Sequence, residues 1–203
     1  MIKYLPRLIA ICLLASFTLY GSLKSFYNNK ITIESFTYEV KLNSSILDLY
    51  NGIYESNNFF EKSLFLFGIN LYDFRTIQAG EYFIDDSLFK VLTKMKLGET
   101  ITYKFVISDG MNKFDLSSYI NTLKLNNDCE DFSCIDLINY SIEGLLLPNT
   151  YFYKKNTNLS LLLNKSSSEL KSYVDTIWKD KPIDNPVKSK YEGIILALSL
   201  IHI

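Results

Sequence analysis

The segment Glu143-Gly144-Leu145-Leu146-Leu147-Pro148-Asn149-Thr150-Tyr151-Phe152-Tyr153 holds the residue types best suited to chemistry in this chain. A carboxylate can carry a proton, and amides and hydroxyls can hydrogen-bond a polyol. Glycine and proline punctuate the run, so neither a long helix nor a central strand is expected through it. Polar and aromatic groups on a loop with an apolar base suit a sugar-binding cleft. Glu143, Asn149 and Tyr151 are the candidate groove residues, with Tyr153 beside them. Two readings of Glu143 stay open. It is either a groove residue that orients substrate or supports an acid, or a structural cap on the amides of its own loop.

Other chemistries find little material. The only histidine is His202, so neither a Ser-His-Asp nor a Cys-His mechanism has support. No residues have zinc-site spacing, and neither a metal nor a cofactor is expected. A net charge of −1 excludes a large basic surface and counts against nucleic acid as a partner. Cys129 and Cys134 can form a short-range disulfide in an oxidising compartment or stay free thiols in a loop, and the thiols are favoured. Cys12, after Ile11, gives only a faint lipoprotein box.

The elements that must position these groups follow from hydrophobic patterning. The chain has 203 residues, 48% of them hydrophobic, enough for one or two modest domains. Lys3 and Arg7 precede a charge-free run from Leu8 to Leu23. The run predicts an uncleaved anchor over Leu8–Phe26, with the N-terminus cytoplasmic and the remainder outside, in preference to a cleaved signal peptide. Residues 24–35 read as a polar connector. Phe36, Tyr38, Val40 and Leu42 alternate as one face of a strand. Ser45 with Asp48 can cap a helix carrying Ile46, Leu49, Tyr50 and Ile53 inward. A second helix is expected around Phe59–Phe67, and a strand at Gly80–Ile84. A third helix has Leu88, Val91, Leu92 and Met95 inward and Gly98 as its terminator. Residues 101–108 alternate as a strand before the Asp109-Gly110 turn. A helix with Phe114, Leu116, Tyr119, Ile120 and Leu123 as apolar positions follows. The acidic loop Asn126–Asp131 reads as solvation. A long helix opens near Asn156–Asn158, with Leu159, Leu162, Leu163, Ser166, Leu170, Tyr173, Val174 and Ile177 as its buried stripe. Trp178 near its end reads as core rather than as a sugar platform, and a last helix begins near Val187.

The run Glu143–Tyr153 resembles the E-G-x-L-x-P-[DE]-T-Y signature of the YceG-like family of bacterial endolytic murein transglycosylases. Ala79-Gly80-Glu81-Tyr82 matches the A-G-x-Y of that family's LysM-like subdomain. FVISDGMNKFDLSSYINTL resembles the opening of its catalytic domain, with Asp109 where glutamate is usual. Asn149 likewise stands where the family has an acidic residue. The resemblance implies an α+β protein with an N-terminal transmembrane helix, a small LysM-like α/β subdomain and the start of a mixed α/β catalytic domain. The implied boundaries are 1–30 for tail, anchor and connector, 31–100 for the LysM-like subdomain and 101–197 for the catalytic part. It further implies a single-pass protein of the bacterial plasma membrane. Its bulk would lie outside the cytoplasm, with peptidoglycan glycan strands, and peptidoglycan synthases, as partners. The alternatives are a non-catalytic tethered peptidoglycan-binding protein and a scaffold for the synthases. The strand face of the LysM-like part is apolar enough to serve either sugar contact or core alone.

The family's catalytic glutamate follows an S-I-I-E-K-E-type segment. Tyr191-Glu192-Gly193-Ile194-Ile195-Leu196-Ala197 fits its lead-in, and the glutamate is expected near Ile201. No catalytic residue is therefore expected in this chain. Residues 198–203, LSLIHI, are the in-frame reading of CTG TCT CTT ATA CAC ATC, a transposon adapter end. They are expected to be non-native, with the true protein running on.

Overall fold

The computed structural model describes residues 5–31, 34–54, 58–135 and 144–201. It is a mixed helix-and-strand structure in two compact units, Met1–Ile101 and Thr102–Ile203. The expected α+β class with one N-terminal apolar helix is what the chain adopts.

The first unit comprises α1 (Leu5–Asn28), β1 (Phe36–Val40), α2 (Ile46–Ile53), α3 (Phe59–Leu71), β2 (Gly80–Ile84) and α4 (Leu88–Leu97). α1 is long and apolar enough to cross a membrane, and its side chains from Leu8 to Tyr20 are exposed. Its last turns behave differently. Leu23 and Tyr27 are buried in the unit's core, and the expected connector is helix as far as Asn28. The reason is the Leu23, Phe26, Tyr27 spacing, which gives this end an apolar face for α3 to cover. The Tyr27 hydroxyl donates to the Phe65 carbonyl at 2.6 Å. α3 permits the approach because Gly68 lies opposite: a Cβ there would meet Tyr27 Cε2 at 2.2 Å.

β1 and β2 pair antiparallel from Phe36↔Ile84 to Val40↔Gly80. Leu42 lies beyond the strand, in a turn, and is exposed rather than part of its face. The capping box forms as read: Asp48 N donates to Ser45 Oγ at 3.1 Å and Ser45 N to Asp48 Oδ2 at 2.9 Å. Leu49, Tyr50 and Ile53 are buried, as are Leu88, Val91, Leu92 and Met95 of α4. Gly98 ends α4 at φ 72°, a left-handed cap that favours glycine.

The second unit comprises β3 (Thr102–Ile107), α5 (Lys113–Ile120), a short 3-10 turn (Glu130–Phe132), β4 (Asn149–Lys154), α6 (Leu159–Lys179) and α7 (Lys190–Ile201). β3 and β4 pair antiparallel from Thr102↔Lys154 to Ile107↔Asn149. The end of the Glu143–Tyr153 run is therefore a strand, not a loop. Pro148 is compatible with it because it precedes the first paired residue, where its missing N–H costs no ladder bond. Asn112 caps α5, accepting from Phe114 N and Asp115 N at 2.9 Å each. That start fixes the helix phase so that Leu116 and Ile120 face inward. Phe114, another of the helix's apolar positions, points away and is 78% exposed.

Asp128 gives the acidic loop a structural task. Ser160 donates to it through N (2.9 Å) and Oγ (2.6 Å), which satisfies the start of α6. These hydrogen bonds hold the Asp128 carboxyl below the usual carboxylate range. Cys129 and Cys134 form a disulfide rather than the favoured thiols, their Cα atoms 5.2 Å apart. The 3-10 turn between them brings the two residues within bridging distance.

Candidate functional site

The second unit contains a cleft of about 1150 Å³. Its walls are the β3–α5 turn from Ser108 to Asn112, the Gly144–Pro148 segment, the second half of α6, and α7. α6 makes both core and cleft with one continuous stripe. Leu159, Leu162, Leu163 and Ser166 are buried under the sheet. Leu170, Tyr173, Val174, Ile177 and Trp178 continue the helical spacing, but they line the cleft, with Tyr173 and Ile177 exposed. Trp178, read as core, is thus a wall residue, and Lys181 Nζ sits 4.3 Å from its ring centroid.

Gly144 explains one letter of the motif. Its φ is 79°, and a Cβ would meet Leu198 Cδ1 at 2.5 Å and Ile194 Cγ2 at 3.1 Å. Both the left-handed backbone and the close packing of α7 demand glycine. The start of α7 is fixed by Ser189 and Glu192. Glu192 N donates to Ser189 Oγ at 3.1 Å, and Lys188 N donates to Glu192 Oε2 at 2.7 Å. Glu192 is therefore engaged in capping. Lys190 pairs with Asp175 at 2.5 Å, which ties α7 to α6.

Of the described candidate residues, Asn149 and Tyr151 do not share one surface. Glu143 lies outside the described residues. Asn149 is exposed at the start of β4, its Oδ1 accepting from Thr150 N at 2.8 Å. Tyr151, expected on the groove, has its ring in the core because β4 alternates and turns Tyr151 and Tyr153 toward α6 and α5. The Tyr151 hydroxyl lies 3.1 Å from the Leu147 carbonyl and 3.2 Å from Glu169 Oε2, and Ser166 Oγ donates to the same carbonyl at 3.2 Å. Burial, with the Glu169 charge nearby, pushes the Tyr151 hydroxyl up. Tyr151 thus acts as a post that holds the Leu147 end of the cleft loop from beneath. Tyr153 accepts from Lys124 N at 3.3 Å. Sequence reasoning missed Glu169 and the cleft role of Tyr173, Ile177 and Trp178. The available signal was an apolar stripe longer than one small sheet can cover.

On α6, the hydrogen bond from Lys190 holds the Asp175 carboxyl below the ordinary carboxylate range. Among the described residues no cluster of three or more metal-ligating side chains occurs. The walls offer aromatic and aliphatic surface with Ser108, Asp109, Asn112 and Lys181 at their edges. That combination suits an amphipathic ligand such as a sugar chain.

Comparison with known proteins agrees with the motif. The sequence model of the YceG-like family matches residues 38–202. Among solved structures, the chain is similar to the crystal structure of a yceG-like protein, lmo1499, from Listeria monocytogenes, at 18% identity and a TM-score of 0.31. That match covers 73% of this chain and 58% of the Listeria chain. No curated protein matches the chain. The family match takes in the Gly144–Pro148 segment and both strands of the second unit, and on that breadth the chain belongs to the YceG-like family.

Proposed function

We propose that this chain is part of a membrane-anchored endolytic lytic transglycosylase that cuts peptidoglycan glycan strands, with the α6–α7 cleft as its glycan groove. The observation that carries the reading is the meeting of the Gly144–Pro148 motif and α7 on one cleft. α7 also leads toward Ile201, where the family pattern places its acid. In the proposed reaction a glutamic acid protonates the bridging oxygen while the bond from that oxygen to the anomeric carbon breaks. The 6-hydroxyl of the same N-acetylmuramic acid attacks that carbon and returns its proton to the glutamate. The product is a 1,6-anhydro end, and no external water is consumed, unlike ordinary glycoside hydrolysis. Tyr173 and Trp178 give sugar rings a flat apolar surface, and Ser108 and Asp109 offer hydrogen-bonding groups at the rim.

With Ile201 at the expected acid position this chain binds glycan but does not cut it, because isoleucine cannot supply the proton. A non-catalytic, membrane-tethered glycan-binding protein is the second reading, which the apolar and aromatic walls of the cleft also suit. Trp178 is the only tryptophan and reports on the cleft directly. Titration of purified glycan strands should change its emission saturably, and no change would remove the groove assignment. Resequencing past the codon for Ala197 then separates the readings. A glutamate near position 201 supports the enzyme, and mass analysis of glycan treated with that longer protein should find anhydro-ended fragments. A longer protein with no glutamate there supports the binder.

A further inference from the structure

α3 carries an apolar stripe that its own unit leaves open. At about 100° per residue, Phe60, Phe67 and Leu71 fall within roughly 40° of one another on the helix. They are 56%, 53% and 54% exposed. Ser63 and Asn70 flank them, and the helix's two charged residues, Glu61 and Lys62, lie on the other side. The neighbouring face of α3, at Phe65 and Gly68, is the one that receives Tyr27 from α1.

The depth of that contact follows from helix geometry. Arg7 marks the cytoplasmic edge of the apolar run. Twenty residues separate it from Tyr27 in one unbroken helix. At ~1.5 Å per residue that is about 30 Å, the thickness of a bilayer's hydrocarbon core. Tyr27 therefore reaches only the outer boundary of the lipid, and so does whatever packs on it. The fully exposed part of the run, Leu8 to Tyr20, is too short to cross alone, about 20 Å at the same rise. Both facts draw α3 down to the membrane surface.

We propose that the Phe60, Phe67, Leu71 stripe is inserted in the outer acyl–headgroup boundary of the same bilayer that α1 crosses. The first unit is then a partly immersed module, not one tethered at a distance. Phenylalanine and leucine side chains are among those that bury at this boundary. The stripe also adds lipid-facing surface where α1 has turned its own apolar residues, Leu23 and Tyr27, into protein core. The proposal rests on α1 being an anchor.

The test uses the full chain reconstituted in phosphatidylcholine vesicles, with Trp178→Phe as background and one new tryptophan at a time. Phe67→Trp and Leu71→Trp report on the stripe, and Phe17→Trp reports on α1. All three positions are exposed, so the larger ring is tolerated. Lipids carry a quencher either near the headgroup or deep in the acyl chain. The expected result is that emission of the Phe17→Trp protein is lost mainly to the deep quencher. Emission of the Phe67→Trp and Leu71→Trp proteins should be lost mainly to the shallow one. Quenching of Phe17→Trp with none of the other two overturns the immersed module while leaving the anchor intact. No quenching of any of the three overturns the anchor and the proposal together.

Discussion

Gly68→Ala tests the docking of α1 on α3. The new Cβ would sit 2.2 Å from Tyr27 Cε2 and 2.5 Å from its hydroxyl oxygen, so the ring must move. Tyr27 is 1% exposed and its hydroxyl is bonded to the Phe65 carbonyl. Overpacking of this kind costs about 1–3 kcal/mol. Loss of the hydrogen bond adds about 1 kcal/mol. Alanine regains up to about 1 kcal/mol of helix propensity. The net expectation is a destabilisation of about 1–3 kcal/mol. Gly52→Ala supplies an internal control. Its Cβ would meet Tyr38 Cε2 at the same 2.2 Å, and it enjoys the same gain in propensity. The Tyr38 ring, however, is only half-buried, and its hydroxyl makes a longer 3.2 Å bond to the Asp48 carbonyl. It can swing toward solvent, so Gly52→Ala should fall near neutral. Urea unfolding of the full chain in detergent micelles, followed by circular dichroism, gives both values. If Gly68→Ala is as stable as Gly52→Ala, Tyr27 is not held as described, and the rigid joint between α1 and the first unit is wrong.

Three further outcomes follow from the second unit. Gly144→Ala should lower the melting temperature and shift Trp178 emission. A left-handed non-glycine residue costs roughly 1–2 kcal/mol, and α7 must yield at Ile194. Unchanged emission would mean that α7 does not rest on Gly144. Cys129→Ser with Cys134→Ser should cost about 2 kcal/mol for so short a loop, and reductant should reproduce the loss in the parent chain. Melting insensitive to reductant would contradict the bridge. The Asp128 carboxyl is depressed by Ser160, so its stabilisation is present above the ordinary value of about 4 and is lost as pH falls through the lower folded value. Asp128→Asn should flatten the acid limb of melting temperature against pH, and an identical limb would leave the cap without effect.

Local chemistry was legible in the sequence. The Ser45–Asp48 box, the glycine stop at Gly98, the Gly80–Ile84 strand and the inward faces of α2 and α4 each depend on residues a few positions apart. The types and spacing of those residues therefore suffice. The glycine of the Glu143–Tyr153 motif was visible as well, though not its reason. The rest required partners far along the chain. β4 exists because β3, more than forty residues earlier, pairs with it, and that register decides that Tyr151 and Tyr153 face the core. The stripe on α6 has one periodicity from end to end. Only the extent of the sheet beneath it decides that Leu163 is core and Trp178 is cleft wall. Tyr27 likewise reads as part of a polar connector until Gly68 is set opposite it. Periodicity fixes which residues share a face, because it is a property of one helix or strand. What that face meets is a property of the packed chain, because burial depends on a second element that the local sequence does not contain.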